Sequence, residues 1–210
     1  MSDPNGYPAS PSQYDAAANP AAPEVRYMLA NQAEAFAGMV SDRFSGMNDR
    51  MNASANQNED ARLGASLMLD LMQEALSEDK AVLPAICIPG GPLDQMTRTM
   101  DRLHYDRTSG RLFAEFSKDF KITDVTPDNI AGILQTLKGR VEDTAWDKPG
   151  MAGSGRVDAK TAHARKDVAV LAGRALADMA IASPRGGIGF STATIAKASE
   201  FLAKPQPVIR

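Results

Sequence analysis

The stretch SPRGGIGFSTAT, residues 183–194, holds the residue types best suited to chemistry in this chain: an arginine and three glycines ahead of a Ser-Thr pair. Glycines that lead into a helix N-terminus let backbone N–H groups converge on a phosphate, and a lysine usually reaches the terminal phosphates. Phe190 stands where a phosphate loop needs that lysine. An Ala-rich helical segment precedes the glycines, where a dinucleotide fold needs a strand. The stretch therefore predicts a connection between two helices with Ser191 as N-cap. Arg185, Gly186, Gly187, Gly189 and Ser191 make at most a weak anion loop.

The other reactive residue types do not combine into a site. His104 lies near Asp101 and Asp106, but no second histidine or nearby cysteine completes a metal set. His163 sits among Lys160, Arg165 and Lys166, a poor setting for a cation. Cys87 is the single cysteine, and its apolar neighbours predict a buried, inert thiol. Glu142 and Asp143 fall at a helix end and read as solvated surface. The sequence thus predicts a protein without catalytic residues, metal or cofactor. A basic set, Arg156, Lys160, Arg165, Lys166 and Arg174, falls on one long helix and is the candidate contact to phosphates or nucleic acid.

Composition sets the frame. The chain has 210 residues, 43% of them hydrophobic but only 6% aromatic, so Ala, Leu, Ile, Val and 11 Met must fill the core. Net charge is −3, which excludes a simple polyanion binder. The charge is uneven: residues 1–60 hold 3 basic and 8 acidic residues, whereas residues 151–210 hold 9 and 4. No run reaches the length of a membrane span, and no basic stretch followed by an apolar run marks a signal peptide. With a lone cysteine, these features predict a cytoplasmic protein, or one inside a large assembly.

The elements follow from spacing. Residues 1–22 are Ala/Pro/Ser/Asn-rich and read as a disordered tail. From Pro23 a long helix carries Leu29, Phe36, Val40, Phe44, Met47 and Met51 in a helical stripe. A second helix, residues 59–78, starts at an Asn58 cap and is apolar over a broad face. Residues 81–92 read as a short strand or a connector, and Pro92 opens a third helix. Residues 103–116 carry turn chemistry between two strand-like runs and predict a β-hairpin. Within it, the eight residues YDRTSGRL resemble the repeat of the YD-repeat shell proteins; a single copy reads as convergence on hairpin turn chemistry. Thr126 and Pro127 open a helix whose stripe is Ile130, Ile133, Leu134, Leu137 and Val141. Residues 149–156 read as a flexible joint, followed by a helix from Val157 to Ala182 and a short one from Thr192 to Ala203.

The fold class expected is mostly α: an irregular bundle of about six helices with one small β-hairpin, with an α+β arrangement left open. The domains expected are 23–148, a helical core with the hairpin, and 157–210, a C-terminal helical pair and tail. The stripe of the first helix is too narrow for a central core helix and too apolar to stand alone, so it is expected to dock a protein partner or a second copy. The function expected is a non-catalytic interaction protein. It would be a subunit, adaptor or chaperone-like component of a larger assembly, such as a secretion or virion assembly. The alternative is a nucleic-acid-binding protein that uses the basic helix.

Overall fold

Val25, Tyr27 and Leu29 alternate with Arg26 and Met28, the period of a strand, and Val25–Leu29 form strand β1. The computed structural model describes residues 25–47, 53–101, 120–147 and 159–206. After β1 come α1 (Ala30–Ser45), α2 (Ala55–Glu78), the short α3 (Leu83–Ile86), α4 (Pro92–Asp101), α5 (Ile130–Glu142) and α6 (Ala159–Ala182). Strand β2 (Gly187–Ser191) and α7 (Thr192–Ala203) follow, and 3-10 turns occupy Lys80–Val82, Ile122–Asp124 and Thr144–Asp147. The fold is mostly helical with one small two-stranded antiparallel sheet, the class that the sequence predicts. The sheet pairs β1 with β2 across most of the chain, with Tyr27 opposite Gly189. The hairpin expected at residues 103–116, the tail 1–22 and the joint 149–156 lie outside the described residues.

Three element starts differ from expectation; the helix expected to open at Thr126 and Pro127 starts at Ile130, with Asn129 as N-cap and no side-chain cap hydrogen bond. The first helix begins at Ala30, because residues 25–29 gain a ladder to β2 that sequence spacing alone does not reveal. The second begins at Ala55: the Ser54 hydroxyl accepts from the Gln57 N–H at 3.2 Å, and Gln57 Oε1 accepts from the Ser54 N–H at 2.9 Å. That reciprocal box satisfies two donors and frees Asn58 for another task. Residues 88–91 turn sharply with Gly90 at φ 78°, a left-handed conformation that suits glycine.

α6 runs through the middle of the core. It packs on α1, α2 and α4, so the segment expected to form a separate C-terminal pair supplies Val168, Ala172, Ala175, Leu176 and Met179 to the same core as α1 and α2. Its small residues let neighbours come close. A Cβ at Gly173 would lie 3.6 Å from the Ala37 Cα, an ordinary contact that marks how near α1 runs. Gly64 of α2 is tighter: a Cβ there would fall 2.8 Å from Phe201 Cζ and 2.9 Å from Phe44 Cζ. These rings belong to α7 and α1, with centroids 6.4 Å apart. Arg43 lies beside them, 4.4 Å from the Phe201 centroid. Its Nε and Nη2 donate to Asp60 at 3.0 and 2.5 Å, and its Nη1 donates to the Lys204 carbonyl at 2.7 Å. One guanidinium thereby ties α1, α2 and the end of α7 together. Among the described residues no helix is long and apolar enough to cross a membrane.

The first turn of α4 carries a pH-dependent contact. Asp94 accepts from Arg98 Nε at 2.9 Å and from the Gly90 N–H at 2.7 Å. The hydrogen bond from Arg98 holds its carboxyl below the usual aspartate range, with the Gly90 N–H acting in the same direction and burial opposing both. A carboxyl depressed on folding contributes stability above its unfolded value, about 3.9, and loses it as pH falls through the lower folded value. Asp94→Asn should therefore melt below the parent at pH 6, with the gap closing as pH falls below about 4. Thermal melts from pH 6 to acid check this; a gap that persists unchanged in acid would refute it.

Candidate functional site

The apolar stripe of the first helix does not face outward. Phe36, Val40, Phe44 and Met47 are buried in the chain's own core against α6 and its neighbours. Leu29 is half exposed, but it belongs to β1 and not to the helix. Met51 lies outside the described residues. The stripe looked narrow because α1 contributes one seam to a shared core, and its covering helix, α6, is more than a hundred residues away in sequence.

The basic set does not form one face either. Arg156 lies outside the described residues. Arg165 has no exposed side-chain surface. Its Nε donates to the Val141 carbonyl at 2.8 Å, Nη1 to Asn58 Oδ1 at 2.8 Å and Asp147 Oδ1 at 2.5 Å, and Nη2 to the Asp143 carbonyl at 3.1 Å. Asn58 Nδ2 donates to the same Asp147 oxygen at 2.5 Å. Arg165 is thus an internal clamp that satisfies the carbonyls at the end of α5. The residues that remain on the exposed stripe of α6, seven apart, are Lys160, Asp167, Arg174 and Ile181. A mixed-sign stripe of that kind does not track a phosphate backbone. Burial pushes the Asp178 carboxyl up, and Arg174 one turn earlier pulls against it.

The glycine stretch becomes a turn and a strand. Gly186 takes φ 74° and its N–H donates to the Ser183 carbonyl at 3.0 Å. From Gly187 the chain pairs with β1, and Ile188 and Phe190 enter the core. Ser191 is the N-cap of α7, as its spacing predicts, accepting from the Thr194 N–H at 3.3 Å. Its own N–H donates to Glu74 Oε1 at 2.6 Å. The helix N-terminus therefore already faces a carboxylate from α2, which occupies the place an external anion would take and repels a second one. Arg185 turns to Tyr27, with Nη1 3.2 Å from the phenol oxygen.

The feature that sequence reasoning missed is the outer edge of β1. The Ala30 N–H donates to the Gly186 carbonyl at 3.4 Å, and Met28 pairs with Ile188. Antiparallel geometry then points the N–H and C=O groups of residues 26 and 28 at β2, and those of residues 25, 27 and 29 at the opposite edge. Gln32 Oε1 accepts the Leu29 N–H at 2.9 Å. The Tyr27 N–H and C=O have no partner among the described residues, and no third strand joins the sheet there. β2 is the covered strand, packed on α2 and α6, and β1 is the outer one. Tyr27 and Leu29 are 50% and 49% exposed along it. The alternation of Val25, Tyr27 and Leu29 was the available signal, overridden by the longer helical spacing that follows.

His104 lies outside the described residues. His163 Nε2 is buried without a hydrogen bond among them. Cys87 is partly buried, and burial pushes its thiol up, away from the reactive thiolate. Among the described residues no three His, Cys, Asp or Glu side chains gather where they could hold a metal ion. Comparison with family models, with curated proteins and with solved structures finds no match.

Proposed function

We propose that this chain is a non-catalytic interaction protein, a subunit or adaptor of a larger assembly, and that it docks through β1. The observation that supports this reading is the outer edge of that strand: the backbone groups of Tyr27 face away from β2 beside half-exposed Tyr27 and Leu29 side chains. Edge strands are templates for a further strand, and proteins that keep such an edge unpaired leave an aggregation hazard unless something covers it. The occupant proposed is an extended segment of a partner protein, added as a third strand with its backbone on Tyr27 and its apolar side chains on Tyr27 and Leu29. The apolar stripe of α1 is already used by the core and drops out of the interface.

Proline separates the edge from the fold. Tyr27→Pro removes the outward N–H while the ladder to β2 runs through residues 26 and 28, and edge strands tolerate proline where the N–H faces away. The partner recovered with the wild-type chain from its native host should be lost with Tyr27→Pro, while the melting temperature of the purified variant stays near the parent. Amide exchange at residue 27 should be fast in the free protein and slow in the complex. Equal recovery with Tyr27→Pro, or unchanged exchange at residue 27 on complex formation, would overturn the reading. A dimer of the pure chain that dissociates with the same substitution would instead place a second copy on the edge and displace the partner segment.

A further inference from the structure

A cleft of about 440 Å³ opens between α1, α4 and α6, away from β1. Its size falls within the range of small-molecule sites. Two cations are among its lining residues: Arg98 from α4 and Lys166 from α6. Lys166 has three quarters of its side chain covered, yet its ammonium makes no hydrogen bond among the described residues. Its ion-pair partner, Asp167 Oδ1, stands at 3.7 Å, beyond hydrogen-bond reach. Arg98 is held from behind through Nε by Asp94, which leaves the two terminal nitrogens of its fork without a protein acceptor among the described residues. The hydroxyls of Ser41 and Thr99 line the same space, and Val170 contributes an apolar wall. Asp167 is the one carboxylate in the lining, and Asp94, outside it, pairs with Arg98.

We propose that this cleft binds a small organic anion, with its oxyanion between Arg98 and Lys166 and its apolar body against Val170. A part-covered ammonium with unused donors gains most from an acceptor brought to it, because a hydrogen bond to a charged group is stronger than a neutral one and a covered polar group without a partner is costly. A guanidinium fork adds two-point recognition of a carboxylate or phosphate. Asp167 repels a second negative charge, which favours a monoanion over a dianion.

The test uses the full chain with three probes: benzoate, hexanoate and inorganic phosphate. Each is titrated while the backbone amides of Ser41, Thr99 and Lys166 are followed by NMR. Benzoate and hexanoate should give saturable shifts at those three amides, with phosphate weaker. Lys166→Met keeps the covered stem and removes the charge, and should weaken binding about 10-fold or more. Arg98→Gln should weaken it in the same direction with the fold intact, because that side chain is mostly exposed. No saturable shift at the three amides with any probe would overturn the proposal. So would shifts of undiminished affinity in both variants, or phosphate binding as tightly as benzoate.

Discussion

Arg165→Ala should destabilise the chain by about 3–5 kcal/mol, the range for breaking a buried, hydrogen-bonded charge pair. The guanidinium joins α6 to two segments distant in sequence: the start of α2 through Asn58, and the stretch from the end of α5 into the following turn through the Val141 and Asp143 carbonyls and Asp147. Truncation leaves a cavity and two helix-end carbonyls without donors, and leaves Asp147 without its cation. Arg165→Lys should recover little, since one ammonium on a shorter stem cannot serve four acceptors spread around a planar fork. Arg174→Ala, on the exposed stripe of the same helix, should cost less than about 0.5 kcal/mol and serves as control. Urea midpoints at unchanged slope measure all three variants. A midpoint for Arg165→Ala close to that of Arg174→Ala would show that the clamp is not formed.

Phe44→Ala should cost about 3–5 kcal/mol, as for other fully buried aromatic truncations. Phe44 is 2% exposed and shares a junction with Phe201 and the bare backbone at Gly64. The site collapses poorly, because Arg43 fixes α1, α2 and the end of α7 around it. Changing Phe36, Val40 and Phe44 together to Ser should abolish the native fold, since it removes three core side chains and buries three hydroxyls without partners. Loss of helical circular dichroism and of a cooperative transition is the expected readout. A triple variant that melts like the parent would mean that α1 is not part of the core and would return its stripe to the interface.

The stripe of α1 shows where sequence reasoning stops. Helical spacing at Phe36, Val40 and Phe44 states that one face is apolar, and the structure has that face. Spacing does not state what covers it. The cover is α6, whose Ala-rich sequence is buried on most sides, with a charged stripe at Lys160, Asp167 and Arg174 left outward. The same limit applies to Arg165: its type and its basic neighbours read as a contact to phosphates, and its burial depends on Asn58 from one segment and Val141, Asp143 and Asp147 from another converging on it.

Local chemistry, by contrast, is legible where partners are near in sequence. Ser191 caps α7, Pro92 opens α4, and α7 ends where its pattern ends, because each depends on contacts within a few residues. The mostly helical class follows from the same local periods. The strand pair could not be read this way. Val25–Leu29 and Gly187–Ser191 are each five residues long, too short for an alternation to outweigh the helical spacing beside them, and each becomes a strand only because the other lies beside it. Sequence determined the mostly helical class, the Ser191 cap and the Pro92 start, since those rest on short-range hydrogen bonds and spacing. Tertiary structure decided which apolar faces were covered, which arginines were buried, that Glu74 filled the helix N-terminus, and that no described strand covers the outer edge of β1, because each depends on segments that the chain brings together only when it folds.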